Sequence, residues 1–338
     1  MKSRHTLRFM TRTVHTRLLP ILVLCLVLAT RPGALRAQDS SATQAVQQAT
    51  DTLSGETPAL HTAHPSGEAS TPPVPFDGYD PNVTSIRWSH AAPIGLALAG
   101  TVTAIHIYQQ NAWWKDQRTS FHFTNDPAYA LNVDKAGHVF GGAFGAFLGR
   151  KSLEFSGVSR DGSIIWGSVL GALFELYVEF EDGFARDWGF SPGDAVGDVI
   201  GAAWPVGQRY VPYMEGLQPK FTYYPSRKFR DGLHEGNAID DYEGQTYWMG
   251  IRLHDYLPRA MQRWWPDWLG IAVGLAVRNM DTPAMERNVI IALDYDMVRL
   301  LPDGGWWWTA FKEALNHLHL PSPAIRISPN FIGYGLYF

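Results

Sequence analysis

The chain has 338 residues, and its 28 lysines and arginines against 32 aspartates and glutamates give a net charge of -4. A balance so close to neutrality excludes the basic surface that nucleic-acid binding requires. Thirteen tryptophans and 32 glycines beside only 18% charged residues favour a cell-envelope protein over a cytosolic one. The length allows two modest domains once processing segments are set aside.

Residues 1–37 have the three parts of a secretory signal peptide. Basic side chains precede the apolar run from Leu18 to Ala29, and the segment from Ala34 to Ala37 offers small residues for cleavage. This pattern predicts export to the periplasm or the outer membrane. Cys25 is the one cysteine, so a chain cleaved after it has no disulfide, while lipid attachment at Cys25 and an uncleaved anchor remain alternatives.

Residues 38–84 predict a disordered linker. From Gln38 to about Pro75 the chain is rich in Ser, Thr, Ala, Gln, His and Pro, and it contains no aromatic residue. Such a segment cannot bury enough apolar area to offset the entropy of ordering it.

Residues 85–215 predict a glycine-rich bundle of about four helices. The first, within Ala91 to Tyr108, is uncharged and nearly long enough to cross a bilayer. Its glycines, threonines and His106 make a buried bundle helix an equal alternative. The next three helices carry glycines at helical spacing, and because glycine is costly inside a helix we expect close backbone approach between them. These glycines are Gly141, Gly145, Gly149, Gly167, Gly171, Gly197 and Gly201.

Acidic residues and one histidine lie on the same helical stripes as the glycines, since residues three or four apart share a helix face. We therefore predict a polar cluster where the three helices meet, and treat all its members as candidate catalytic residues. They are Asp134, His138, Glu175, Glu179, Asp182, Asp194 and Asp198. Within the cluster, a hard-ligand set suited to zinc, manganese or magnesium predicts a divalent metal site. That set is His138, Glu179, Asp182 and Asp198.

A structural role explains two of these acids as well. Asp194 follows Ser191 at the spacing of a capping box, and Asp134 is placed to cap the helix that begins at Lys135. Asp198, Glu175 and Glu179 have no such role and need buried partners, for which Lys135, His138 and Arg186 are the nearest candidates.

Residues 216–338 predict a β-rich domain with an antiparallel sheet of about five strands. The run from Leu269 to Val277 alternates bulky with small residues, and the run from Val289 to Leu300 pairs with it across the loop from Asn279 to Arg287. Trp306 to His317 predicts a short helix. The last strand, Ile332 to Phe338, ends on an aromatic residue like the closing strand of an outer-membrane barrel, although the strands are too few for a barrel.

These motifs resemble a bacterial family called domain of unknown function 2279. The resemblance rests on the helical acids and histidine and on three C-terminal segments found in its long members from Bacteroidota-type bacteria. They are Tyr242 to Trp248, Trp265 to Leu269, and Leu293 to Asp296. The family is described as predicted periplasmic lipoproteins, so the resemblance implies an envelope location. The helical motifs are also distantly similar to those of VanZ-like membrane proteins.

Three functions fit the sequence. The first is a membrane-associated structural or binding protein, with a lipid or glycan as candidate ligand. The second is a metal-dependent or acid–base hydrolase or transferase acting on a lipid, glycan or phosphate-bearing envelope substrate, although the metalloprotease, phosphate-loop and nucleophile-elbow motifs are absent from the sequence. The third is a β-strand protein of the outer membrane. Tryptophans at Trp264, Trp265 and Trp306 to Trp308 are candidate interfacial anchors.

Overall fold

The computed structural model describes residues 73–112, 114–234 and 236–338, and the segment from residue 73 to 338 forms one compact unit. The predicted signal peptide and the linker up to residue 72 lie outside the described residues. The remaining part of that linker contacts the turn before Arg160. The Arg160 amide donates to the Pro81 carbonyl at 2.7 Å, and the Tyr79 hydroxyl donates to the Val158 carbonyl at 2.9 Å.

The structure confirms an α+β fold in which a glycine-rich helical bundle precedes an antiparallel sheet. Four long helices come first: α1 (Trp88–Asn111), α2 (Val133–Phe155), α3 (Arg160–Asp182) and α4 (Pro192–Tyr210). Helices α2, α3 and α4 all pack against one another, whereas α1 touches the others sparingly.

Glycines allow α2 and α3 to pack at backbone contact. A methyl group added at Gly171 would lie 2.6 Å from the backbone nitrogen of Ala146, and one at Gly149 would lie 2.9 Å from the carbonyl oxygen of Gly167. Gly201 brings α4 equally close to α2, because a methyl group there would collide with the Val139 carbonyl. The close approach predicted from the glycine spacing is therefore present.

Helix α1 is largely exposed. Leu96 is 76% and Ile107 is 55% exposed, and Gln109 is the one residue of this helix that is buried among the described residues. The sequence left open whether α1 is a helix that nearly crosses a bilayer or a buried helix of the bundle, and the exposure of α1 contradicts the buried helix. By length and composition alone, α1 and α3 could each cross a membrane.

The C-terminal part is a six-stranded antiparallel meander, where the sequence indicated about five strands. Each strand pairs with the next along the chain. The strands are β1 (Leu217–Tyr223), β2 (Gln245–Ile251), β3 (Leu269–Arg278), β4 (Glu286–Tyr295), β5 (Ser322–Ser328) and β6 (Ile332–Tyr337). Among the described residues, five α-helices lie between them: α5 (Arg227–Arg230), α6 (Leu253–Tyr256), α7 (Arg259–Gln262), α8 (Met297–Leu300) and α9 (Trp306–Leu315).

The predicted hairpin of β3 and β4 is present, but its second strand is shorter than expected. It ends at Tyr295 because the Asp296 carboxylate accepts from the amides of Val298 and Arg299 and starts α8. The alternation of the last strand also breaks. The register shift between Ser322 and Ala324 lets Tyr334 and Tyr337 face the same core.

The sheet curls around a core that combines small, aromatic and charged residues. The face of β3 that carries its small residues is packed closely, because the Trp248 ring lies where a Gly274 side chain would be. Deeper in this concave face, the Lys220 ammonium pairs with Asp294 at 2.9 Å and donates to the Asn316 side chain at 3.2 Å. The concave face is thus filled and partly polar.

Helix α2 joins the bundle to the sheet. Its Phe140 ring lies 5.4 Å from that of Phe221 in β1 and 6.0 Å from that of Tyr247 in β2. Near its start, Val133 packs with Val277 of β3. These contacts fix α2 between the other helices and the sheet, and α2 carries the candidate histidine.

Candidate functional site

The centre of the site is a hydrogen bond between two helices. His138 of α2 and Asp198 of α4 meet with 2.8 Å between Nδ1 and Oδ1, and Asp198 is fully buried. Gly197 makes this possible, because a side chain there would press on the His138 Cβ at 3.1 Å. An ionised carboxylate only accepts, so Nδ1 carries a proton and Nε2 is left to face the opposite side.

On that opposite side, Nε2 of His138 faces two more carboxylates. It lies 3.6 Å from Asp194 and 3.9 Å from Asp134. Lys135 lies next to both, with its ammonium 2.7 Å from Asp194, 2.9 Å from Asp134 and 3.0 Å from Asp126. The Tyr242 hydroxyl donates to Asp134 at 2.7 Å. One lysine therefore bridges three acids around the free edge of the imidazole.

Helix α3 contributes Glu175, Glu179 and Asp182. The Glu179 carboxylate accepts from the Ser191 amide, and Asp182 accepts from the Trp114 indole. Glu175 fits against α2 because Gly141 has no side chain, and a methyl group there would lie 2.9 Å from a Glu175 oxygen. The glycines of this bundle thus make room for carboxyl groups as well as for backbone contact.

Burial raises the pKa of these acids. It raises the pKa of Glu175 to about 7, with the nearby charge of Asp198 adding to the effect. Burial likewise raises the pKa of Glu179 to about 8 and that of Asp182 to about 7, although their hydrogen bonds from Ser191 and Trp114 act in the opposite direction. These three carboxyls consequently hold protons near neutral pH unless a cation replaces them.

His138 is shifted in the direction of its charged form. Burial by itself lowers its pKa, but the hydrogen bond that the ring donates to Asp198 and the charges of Asp198, Asp194 and Asp134 raise that pKa to about 10. The ring is therefore held in a strongly negative environment. Such an environment stabilises a proton on Nε2 or a cation in its place.

A cavity of about 670 Å³ opens onto this cluster. Its polar side includes His138, Asp134 and Asp194, and its other walls are apolar and aromatic. Those walls come from α1, from α3, from the segments just before α2 and α4, and from β2 and the residues before it. They include Ile105, Tyr108, Tyr129, Phe174, Val178, Trp188, Tyr242 and Tyr247. The volume is that of a site for a small organic ligand.

Two overlapping groups of side chains could hold a metal ion, and His138 belongs to both. Asp134, His138 and Asp194 form one, and His138, Glu179 and Asp198 form the other, with ligand atoms within 4.8 Å of one another in each. Three of the four predicted metal residues thus come together. Asp182 lines the same cavity but belongs to neither group.

The capping roles suggested for Asp134 and Asp194 do not describe their carboxylates. Helix α4 is capped by the Ser191 hydroxyl, which accepts from the Asp194 amide, while the Asp194 carboxylate binds Lys135. Helix α2 begins after Asn132 with no side-chain cap. Both acids therefore belong to the cluster, whereas Arg186 is exposed and, in the described part of the chain, forms no ion pair with it.

Asp126 and Tyr242 were missed by the sequence reasoning. Asp126 lies in an irregular segment, where no helical spacing points to the cluster. Tyr242 lies 108 positions beyond Asp134. The one sequence signal for Tyr242 was its place at the start of a segment that carries the family resemblance.

Comparison of the chain with protein-family models, with curated proteins and with solved structures found no match. The resemblances to domain of unknown function 2279 and to VanZ-like proteins therefore stay predictions.

Proposed function

We propose that this chain is a membrane-associated binding protein of the cell envelope whose helical cluster holds a divalent cation next to a ligand cavity. The observation that carries the proposal is the position of His138. Its Nδ1 is fixed by a buried acid, while its Nε2 lies within 4 Å of two further carboxylates at the cavity. A histidine that binds a metal through one ring nitrogen usually donates a hydrogen bond from the other to a carboxylate, which fixes the orientation of the ring.

Charge supports a cation at this place. Seven carboxyl groups surround the site, namely Asp126, Asp134, Glu175, Glu179, Asp182, Asp194 and Asp198, whereas Lys135 and His138 are the basic side chains that the described residues place among them. One oxygen of Asp198, Oδ2, is buried without a hydrogen-bond partner in this part of the chain. An unpartnered buried carboxylate oxygen is costly, and a cation or a proton removes that cost. Oxygen ligands with one imidazole suit zinc, manganese or magnesium.

Membrane association is supported by α1. It has no charged residue, it is exposed along its length, and its apolar side chains contribute Ile105 and Tyr108 to the cavity wall. A ligand with an apolar part could reach the cavity along this helix, while a polar group meets the cluster. A lipid is therefore the ligand class that the cavity favours over a glycan. The predicted signal peptide supports export to the periplasm or the outer membrane.

A second candidate is a hydrolase or transferase acting on such a ligand. The observation that favours it is Glu175, which lines the cavity with a pKa near neutrality and can carry a proton for general acid catalysis. A cation at His138 would supply Lewis acidity or an activated water. Under this function, Glu175→Gln abolishes turnover without loss of ligand binding.

The test is metal binding by the full-length protein. We expect one zinc or manganese ion per chain by elemental analysis. Calorimetric affinity for the ion should fall at least tenfold in His138→Ala and in Asp194→Asn, because each removes a direct ligand and even loss of a ligand's hydrogen-bond partner costs about tenfold or more. Asp187→Asn is the matched control, because Asp187 lines the same cavity but is exposed and lies outside both metal groups.

Circular dichroism of each variant separates loss of the site from loss of the fold. A wild-type protein that binds neither ion, or a folded His138→Ala protein that binds as tightly as wild type, would contradict the cation site. If the protein folds but binds no metal, the hydrogen bond between His138 and Asp198 serves only to hold α2 against α4.

A further inference from the structure

The outer surface of the sheet has a polarity opposite to that of an ordinary soluble sheet. The concave face holds the Lys220–Asp294 ion pair, while the convex face of β3, β4 and β5 is aliphatic. Val273, Ile291 and Ile325 lie side by side across these strands and are 40%, 40% and 52% exposed. We define these three residues and their outward neighbours as the convex patch.

The convex patch contains no charge. Its outward residues on β3 run from Leu269 to Val273, because Val277 is buried against Val133 of α2. On β4 they run from Val289 to Tyr295 and on β5 from Pro323 to Ile327, and none of these outward positions is ionisable except the phenol of Tyr295. Contiguous apolar surface of this kind marks an interaction site on a soluble domain. It continues onto β6 through Leu336, which is 59% exposed.

Charged and aromatic side chains lie at the ends of the patch. At one end the exposed Arg287 lies two residues before Val289 on the same face of β4, and Phe331 of the adjacent β5–β6 turn is 80% exposed. At the other end the Trp268 and Tyr295 rings lie 6.3 Å apart. An uncharged band between aromatic residues and then charges is the order in which a lipid bilayer presents its acyl, interfacial and aqueous regions.

The size of the patch argues against a second copy of the chain as its partner. Three to four strands about 4.8 Å apart, each contributing some six residues of about 3.3 Å, give the patch a footprint of roughly 300–400 Å². A stable protein interface buries about 800 Å² on each partner. A bilayer sets no such lower limit, because each apolar side chain that enters it adds its own transfer free energy.

We propose that the convex patch rests against the acyl region of a lipid bilayer. This contact is separate from the attachment through α1 and does not depend on the cation site. In the described residues the sheet is open at β6, and unpaired strand edges are not tolerated in the hydrocarbon core. The sheet therefore lies on the membrane with its edge at the hydrated headgroups, rather than passing through it.

The test uses the full-length protein with Cys25→Ser, so that one introduced cysteine can carry a polarity-sensitive fluorophore. Ile325→Cys reports from the patch, and Leu233→Cys is the matched control because Leu233 is 73% exposed in the connection between β1 and β2, outside the strands that form the patch. Each protein is mixed with phosphatidylethanolamine and phosphatidylglycerol vesicles, with and without brominated acyl chains. We expect acyl-chain bromine to quench the probe at position 325 and to leave the probe at position 233 unchanged.

A charge variant gives a second measurement. Ile291→Glu leaves the fold intact because the side chain is already exposed, and we expect it to lower vesicle partitioning roughly tenfold and to reduce quenching at position 325. Partitioning and quenching equal to those of wild type would overturn the proposal. So would an unquenched probe at position 325 whose emission depends on protein concentration, since that result assigns the patch to a second copy.

Discussion

Single buried charges in this molecule differ in how they are compensated. Lys220 in the sheet is 1% exposed, and its ammonium is satisfied by Asp294, the Tyr295 carbonyl and Asn316. In the helical cluster, by contrast, acids outnumber bases and one Asp198 oxygen has no partner among the described residues. A fully satisfied pair serves the fold, whereas an excess of one sign leaves a site that can still take up a ligand.

His317 provides a prediction about pH. Burial against Phe144 and Phe147 lowers its pKa from 6.5 to about 4, although its hydrogen bond to the Glu313 carbonyl opposes that shift. Between these two values the unfolded chain binds more protons than the folded one, so stability falls as pH falls from about 6.5 towards 4. This shift makes the pH-dependent contribution of the ring about 3 kcal/mol.

We therefore expect His317→Gln to have a lower free energy of unfolding than wild type at neutral pH, because packing is lost. On acidification the variant should lose less stability than wild type, because it has no imidazole to protonate. Urea unfolding of both proteins at several pH values between 7 and 4 measures the difference. The two curves should converge towards acid pH. Parallel curves would mean that folding does not lower the pKa of His317.

Among the elements, the contact between α2 and α4 is the one on which the site most depends, and Gly201 sets its distance. Alanine at position 201 would place a methyl group 2.8 Å from the Val139 carbonyl carbon, and backbone cannot move aside as a side chain can. We expect Gly201→Ala to lower the free energy of unfolding by about 1–3 kcal/mol. It should also weaken metal binding, because it separates His138 from Asp198.

Gly100→Ala is the matched control. Gly100 lies in α1 with no other atom near its missing side chain, so alanine there should be neutral or stabilise the protein by up to about 1 kcal/mol. Chemical denaturation compares the two variants. Equal stabilities would show that α2 and α4 can separate at no cost.

The helical half could be predicted from sequence to a large extent because its information is local. Glycine at Gly167 and Gly171 repeats with the helical period, and Glu175 and Glu179 continue the same stripe, so their common face follows from the spacing. Helical spacing cannot identify a member of the cluster that lies outside a helix. Asp126 joins the cluster through Lys135, and only the tertiary fold brings them together.

The exposure of α1 was also beyond the sequence. An uncharged helix has the same composition whether other helices or lipids surround it, so periodicity cannot decide between the two. The predicted extent of β4 beyond Tyr295 was wrong for a different reason. Met297 continues the alternation of β4, but Asp296 caps a helical turn there, and a cap outweighs the propensity of a single residue.

On the scale of the whole molecule, the helices and the sheet share one interface through α2. Rings from Phe140, Phe221 and Tyr247 meet there, with 5.1 Å between the centroids of Phe221 and Tyr247. The Tyr247 hydroxyl also lies 3.0 Å from where a Gly137 side chain would be. The sheet therefore holds the cavity wall against the helix that carries His138, and distortion of one half reaches the site in the other.

This connection predicts that helices and sheet unfold together. We expect hydrogen exchange in rising denaturant to show the same midpoint for peptides of α3 and of β4, because neither half buries its face on α2 without the other. Phe221→Ala removes a ring from the shared interface and should lower both midpoints alike, at a cost of about 3 kcal/mol. Leu233→Ala, on an exposed loop, should change neither. If the β4 peptides lost protection at lower denaturant than those of α3, the two halves would be separate folding units, and His138 would keep its position without the sheet.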